Sequence, residues 1–224
     1  MLTPDAWLVA CRRLIHEAGR ARIHDLRGSL NMAALGAELI ADDGHGPDDS
    51  AHARAARSIK RGVTEASDDL RGLHSLIIET TDPGARSFAD AADWALEAAG
   101  PVGRRRGLTV EVAAPLGRLP AMAMPDGFSV MLAWCLIEAF LAAPRRSRVL
   151  VEPRDGDDAS LVVEWTASVE DRQGAVQQAG EALSSLLDGR GRVALDAGGD
   201  RRRLHCHLFT DGAAGAAPNT KDSG

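Results

Sequence analysis

Apolar residues recur at helical spacing through the first third of the chain. After Pro4 no proline interrupts the stretch 4–41, and alanine, leucine, arginine and glutamate dominate it, which predicts one long helix. Within it, residues three and four positions apart form the a/d pattern of a coiled-coil seam, namely Ile23, Leu26, Leu30, Ala33, Ala37 and Ile40. The same rhythm precedes them in a shifted phase, at Leu8, Cys11, Ile15 and Ala18.

A second helix repeats the pattern after an acidic loop with glycine and proline at 42–47. It runs from about Ser50 to Glu79, and its seam residues are Ile59, Val63, Ala66, Leu70, Leu73 and Ile77. The two helices predict a helical hairpin with matching seams over residues 1–82. Because each helix carries further apolar residues beside its seam, we expect two hairpins to pair as a four-helix bundle in a homodimer. The alternative is that the hairpin packs on another part of the same chain.

The pattern changes after Pro83 to a mixture of helices and short strands. The expected helices span 86–99, 124–144 and 173–187, and the second is almost entirely apolar and therefore buried. The expected strands span 107–114, 147–153 and 160–166, followed by the sequences RVALDA and RLHCHLF. This order predicts an α/β sandwich at 83–210 and places the chain in the α+β class. The tail at 211–224 lacks large apolar residues and is expected to be disordered.

Composition and charge narrow the classes of function. Of 224 residues, 26 are basic and 32 acidic, and the net charge of −6 argues against a whole-protein grip on nucleic acid. No apolar run is long enough for a membrane helix, and charges interrupt the N-terminus where a signal peptide would be apolar. Three widely separated cysteines make neither a disulfide framework nor a thiolate metal site, so a cytoplasmic location is expected. The arginine runs at 104–106 and 201–203 are interpreted as solvated loops.

One histidine has a distinctive position on the first helix. The a/d pattern places His24 at a b position, on the flank of the bundle, exposed but close to its core. Asp25 adjoins it, Arg27 lies one turn on, and Gly28 and Ser29 remove bulk where a partner would approach. The residues alone also fit a surface histidine with no chemical role.

The string HDLRGSLN, which begins at His24, resembles the H-box of histidine kinases, and the hairpin resembles their dimerisation and phosphotransfer domain. The elements that follow the hairpin are similar in order to their ATP-binding domain, so the resemblance covers about 20–209. It implies His24 as the nucleophile that carries a phosphoryl group and Asp25 as its orienting or general-base partner. It also implies that Arg27 stabilises the phosphoryl oxygens.

The chain departs from the ATP-binding features of that family. The N-box positions that would hold magnesium are Cys135 and Ala139, and neither side chain suits that ion. The sequence TASVEDRQG replaces the Asp-x-Gly-x-Gly box, and AGEALSSLL replaces the glycine-rich lid. We therefore expect the fold without ATP binding, with no cofactor of its own and any magnesium supplied by the partner. No metal site is expected either, because His205 and His207 share a strand face without a third ligand nearby.

An H-box hairpin joined to a degenerate ATP-binding domain is similar to the histidine phosphotransferases of the ChpT and sporulation-phosphorelay types. This resemblance implies that the chain moves a phosphoryl group between receiver-domain aspartates through a phosphohistidine, without ATP. The implied partners are response-regulator receiver domains or a hybrid histidine kinase. Helix geometry suggests Leu30, Ala34 and Leu35 as their docking contacts. The alternative is a non-catalytic pseudokinase-type regulator that only binds a kinase or a response regulator.

Overall fold

The long helical hairpin predicted for the first part of the chain is confirmed. A computed structural model describes residues 3–41, 49–154, 158–167 and 172–209. The expected loop at 42–47 and the expected tail at 211–224 lie outside these ranges. The first helical stretch consists of α1 (Pro4–Leu14), a π-helical turn (Ile15–Gly19) and α2 (Arg20–Ala41). It is followed by α3 (Asp49–Thr81), which packs along α2.

The C-terminal part combines three helices with one five-stranded sheet. The helices are α4 (Phe88–Arg106), α5 (Phe128–Ala142) and α6 (Gln173–Leu187), with a short 3-10 turn at Leu116–Arg118. The strands are β1 (Thr109–Val112), β2 (Arg148–Arg154), β3 (Asp158–Thr166), β4 (Gly191–Asp196) and β5 (Arg201–Phe209). They lie in the order β1-β2-β3-β5-β4, with β1 and β2 parallel and the other pairs antiparallel. The predicted α+β class is therefore confirmed.

Helix α5 lies at the centre of the C-terminal core, as its apolar sequence predicts. It contacts α4 on one side, α6 on the other, β3 and also α1. Most of its side chains are buried, because every face of the helix meets another element. Within the described ranges, no helix is both long and apolar enough to cross a membrane.

Helix α1 packs its buried side chains into this C-terminal core rather than into the hairpin. Leu14 is fully buried there. Trp7 lies against Gly127, a left-handed residue with φ +79° at which a Cβ would stand 2.7 Å from the indole. Arg13 forms a bidentate ion pair with the buried Glu138 of α5, at 2.6 and 3.2 Å. The predicted domain boundary at residue 82 assigns α1 to the hairpin because of its place in the chain. In the structure, the buried side chains of α1 belong to the core of the C-terminal domain.

Helix α4 continues well past the predicted end at residue 99. The Ser87 hydroxyl caps its start by accepting from the Asp90 amide, and Gly107 ends it in the left-handed region. Pro101 lies inside the helix and has no N–H, so the carbonyl of Glu97 loses its partner within the helix. Arg22 of α2 donates to that carbonyl from Nη2 at 3.0 Å. The hairpin thus supplies the hydrogen bond that the proline removes.

Neither arginine run is a solvated loop, which corrects the expectation from sequence. Residues 104–106 form the last turn of α4, where cations meet the negative end of the helix dipole. Residues 201–203 begin β5, and Arg201 and Arg203 both bind Glu164 on the neighbouring strand, at 2.5 and 2.6 Å. These two arginines lower the pKa of Glu164, with the Arg203 hydrogen bond as the largest cause.

The two helices of the hairpin contact each other through small residues, and this differs from the predicted seam-to-seam packing. The face of α2 that meets α3 carries Ser29 and Gly36, and the face of α3 carries Gly62 and Ala66. Seven of the twelve predicted seam residues are exposed instead, namely Ile23, Leu30, Ala37, Ile40, Val63, Leu70 and Ile77. Small residues let the backbones approach more closely than leucines would, so the larger seam residues are left on the outside.

Replacing either of two glycines in this hairpin with alanine should change the free energy of unfolding, with opposite signs at the two positions. A Cβ on Gly62 would lie 2.5 Å from the Ser29 carbonyl oxygen, whereas a Cβ on Gly28 meets nothing within 4 Å. We expect Gly62→Ala to lower the free energy of unfolding by about 1–3 kcal/mol, because the helices must separate. Gly28→Ala should raise it by up to about 1 kcal/mol through helix propensity. Denaturant unfolding at one protein concentration measures both; equal effects would contradict the close approach of the helices.

Candidate functional site

His24 lies where the sequence predicts it, on the open flank of α2. Its side chain is 72% exposed, and Nδ1 is 3.5 Å from Oδ1 of Asp25. Arg27 and Gly28 are exposed one turn further on, so the approach to the imidazole is unobstructed. Ser29 behaves differently from the expectation: it is buried in the hairpin and its hydroxyl donates to Glu65 at 3.4 Å.

An open groove of about 530 Å³ adjoins the histidine between α2, α3 and α4. Its lining includes His24, Asp25, Glu65, Asp69, Arg104 and Arg105. The second carboxylate oxygen of Asp25 accepts from Nη2 of Arg104 at 3.3 Å. Asp25 therefore contacts the imidazole through one oxygen and a guanidinium of the C-terminal domain through the other.

A buried arginine fixes the same wall of the groove one turn earlier on α2. Besides the Glu97 carbonyl, Nη2 of Arg22 reaches the Glu97 carboxylate at 3.4 Å, and Nη1 lies 3.9 Å from Asp69. Burial raises the pKa of Asp69, and the nearby Asp25 carboxylate raises it further, against the opposing effect of Arg22 and Arg104. Because the folded chain binds this proton more tightly, the associated stability is present at low pH and is lost as pH rises through the folded pKa of Asp69.

The residues predicted to bind a partner are all exposed, but they lie on two sides of α2. Leu35 comes eleven residues after His24, about 20° from it around the helix, and so shares its face. Leu30 comes six residues after His24, about 120° away, in line with the exposed seam residue Ile23. Ala34 lies between these two directions. The roles of these residues, and those of His24, Asp25 and Arg27, remain predictions.

The two positions at which the resemblance would place magnesium ligands lie on helix α5 of the C-terminal domain. Cys135 and Ala139 are both fully buried in the core. Burial raises the pKa of the Cys135 thiol, which keeps it neutral and without the oxygen chemistry that magnesium needs. Glu138, one turn after Cys135 on α5, is already paired with Arg13 of α1. The side chains of Cys135 and Ala139 do not fit the magnesium-binding role that the resemblance to histidine kinases implies for their positions.

Metal-ligating side chains do not cluster in the described part of the chain: no group of three or more histidine, cysteine, aspartate or glutamate residues is suitably placed there. His205 and His207 stack in parallel on β5, with ring centroids 5.5 Å apart. Burial lowers the pKa of His205, and the neighbouring His207 lowers it further, which favours the neutral ring.

The site residues that the sequence did not predict include Arg22, Glu97 and Arg104. Their contacts join positions 75 and 79 residues apart, which no local spacing reveals. One signal was available for the first pair: a proline within a helical composition frees the carbonyl four residues before it, and a buried arginine suits such an acceptor.

Solved structures similar to this chain include several histidine kinases. A histidine kinase from Burkholderia phymatum STM815 is 16% identical with a TM-score of 0.43, over 92% of this chain and 98% of that one. The Acinetobacter baumannii histidine kinase AdeS is 14% identical with a TM-score of 0.41, over 84% and 98% of the two chains. The mycobacterial sensor histidine kinase MprB is 18% identical with a TM-score of 0.37, over 56% and 96%. No protein-family model and no curated protein sequence matches the chain.

Proposed function

We propose that this chain is a phosphorelay histidine phosphotransferase that takes a phosphoryl group from the aspartate of one receiver domain and gives it to another. The observation that carries the proposal is His24, an exposed imidazole with a carboxylate at its Nδ1 side, beside a groove lined by two further arginines. This arrangement combines a nucleophile with a group that orients it, and the exposed Arg27 on the next turn supplies a cation for the phosphoryl oxygens.

The chemistry requires the neutral imidazole. A proton on Nδ1, facing Asp25, leaves the lone pair on Nε2 free. Nε2 attacks the phosphorus of the receiver's aspartyl phosphate, the phosphorus–oxygen bond breaks, and the receiver carboxylate leaves with the electron pair. The product is a phosphoimidazolium that still holds its Nδ1 proton, and the Asp25 carboxylate stabilises its positive charge. Reversal of the same step on a second receiver aspartate completes the relay.

The shape of the bundle is consistent with a partner that approaches along α2. Leu35 and Leu39 are exposed on the His24 side of this helix and would form the apolar contact with a receiver. Arg27 would reach the phosphoryl oxygens from the next turn. The outward seam of α2 and α3 would bind a second copy of the chain, which makes a homodimer with one His24 on each flank.

ATP has no part in this proposal. The magnesium positions expected from the resemblance are buried apolar or thiol side chains, which supports a phosphoryl donor that is another protein rather than ATP. Any magnesium ion used in the transfer belongs to the receiver. The C-terminal domain then serves as a wall of the groove and as a docking surface.

The experiment is phosphotransfer from a panel of phosphorylated receiver domains to the purified chain, with and without ATP. We expect at least one receiver to label the chain in the absence of ATP, and the label to be lost in acid but stable in base, as a phosphoramidate is. Binding of a receiver or kinase with no label at any time would favour the non-catalytic regulator. Labelling that requires ATP and magnesium would show a kinase and contradict the proposal.

A further inference from the structure

We propose that Arg104 is a positioning residue for His24: it holds Asp25 so that the imidazole keeps its proton on Nδ1 and presents an unprotonated Nε2. This inference rests on the phosphotransfer role proposed for His24. It assigns part of the site to the C-terminal domain, since Arg104 lies in the last turn of α4.

The geometry forms a relay of three side chains. Nη2 of Arg104 donates to Oδ2 of Asp25 at 3.3 Å, and Oδ1 of the same carboxylate is 3.5 Å from Nδ1 of His24. A carboxylate that is held at one oxygen has fewer rotamers open to it, so its other oxygen stays near the ring. The same logic sets the tautomer of histidines in other nucleophilic sites, where a fixed acid keeps the distal nitrogen free.

The hairpin fixes the position of Arg104 independently of His24. Pro101 frees the Glu97 carbonyl and buried Arg22 binds it, which joins α2 to α4 one turn before Asp25 on α2 and two turns before Arg104 on α4. The two contacts therefore follow each other along both helices. A helix end held in this way can present its guanidinium at a constant distance from Asp25.

Arg105 provides a matched control for charge. It is the next residue of the same helix, is exposed and lines the same groove. Replacing it with methionine removes the same charge from the groove without touching the Arg104–Asp25 contact. An effect that depends on that contact should therefore follow Arg104 alone. Arg104 is itself 62% exposed, so its replacement should leave the fold unchanged.

The test compares Arg104→Met, Arg104→Lys and Arg105→Met by two readouts. Nitrogen-15 NMR of His24 in the unphosphorylated protein gives the fraction of each tautomer, and transfer from a phosphorylated receiver gives the rate across pH. We expect Arg104→Met to raise the Nε2–H fraction and slow transfer about tenfold, which is the lower end of the loss that follows removal of an orienting partner from a metal-bound histidine. Arg104→Lys should recover most of the rate, and Arg105→Met should stay within about twofold of the parent chain.

An unchanged tautomer ratio in Arg104→Met, or equal slowing in Arg104→Met and Arg105→Met, would overturn the inference. The NMR readout does not need phosphotransfer. If no receiver labels the parent chain, the proposed function is contradicted. If the tautomer ratio of His24 is the same with and without Arg104, this inference is contradicted.

Discussion

Replacing His24 with glutamine should abolish phosphoryl uptake from every receiver domain that labels the parent chain. Glutamine keeps a polar side chain of similar reach on α2 but has no nucleophilic nitrogen, so no phosphoramidate can form. The fold should be unaffected because the imidazole is 72% exposed and contacts only its neighbour Asp25 at 3.5 Å among the contacts described. The measurement is transfer of radiolabel, with circular dichroism and hydrodynamic size as checks on folding and assembly.

His16 supplies a control of the same kind on the same helical stretch. It is also exposed and also faces a carboxylate, since its Nδ1 lies 3.2 Å from Oε1 of Glu17. It lies in the π-helical turn, away from the groove at His24. His16→Gln should therefore leave the label unchanged. Retained labelling of His24→Gln, or equal loss in the two variants, would show that another residue carries the phosphoryl group.

The helices and strands of this fold can be predicted from the sequence because each depends on the pattern of residues close to it in the chain. Helix α6 was predicted at 173–187, which are its observed bounds, since its apolar period and flanking residues agree. Helix α4 extends beyond its predicted range of 86–99 and includes Pro101; the hydrogen bond that this proline removes is replaced by Arg22, 75 residues away in sequence from its partner Glu97. Long-range compensation of this kind leaves no local pattern.

The π-helical turn at Ile15–Gly19 coincides with a shift in the spacing of apolar residues along the sequence. The apolar rhythm at Leu8 to Ala18 resumes at Ile23 after five residues, instead of three or four. A π turn adds one residue to a helical turn, which is the size of that phase shift. The shift in spacing therefore marks the point at which the buried face of the helical stretch changes direction. Before it, α1 packs on α5, and after it, α2 packs on α3.

The candidate site divides in the same way between local and distant signals. His24 and Asp25 were found because adjacent residues on one helix and the surrounding H-box string are visible in the sequence. The side chains from α4 were not found, because their distance from His24 is set by how the C-terminal domain packs on the hairpin. The direction of the seam was also hidden: a heptad shows which residues share a face, and only the small residues opposite show which face meets the second helix.

Placing lysine at Leu30 should convert the expected dimer into a monomer. Leu30 is 52% exposed in a single chain and belongs to the outward seam with Ile23 on α2 and with Leu70 on α3. Burying a leucine stabilises an assembly by about 1.5–3 kcal/mol, and a symmetric dimer contains the position twice. The loss of about 3–6 kcal/mol should raise the dissociation constant at least about 100-fold. Sedimentation equilibrium measures this directly.

Leu35→Lys separates the dimer seam from the surface beside His24. Leu35 is 61% exposed on the same helix, so its replacement introduces the same charge at a comparable degree of exposure. It shares the face of His24, and the variant should therefore remain a dimer while the concentration of receiver needed for half-maximal transfer rises. Leu30→Lys should have the opposite profile, with altered assembly and a histidine that still accepts a phosphoryl group. A dimer that tolerates Leu30→Lys would show that another surface joins the two copies, because no two-fold bundle built on this seam can bury two facing lysines without partners.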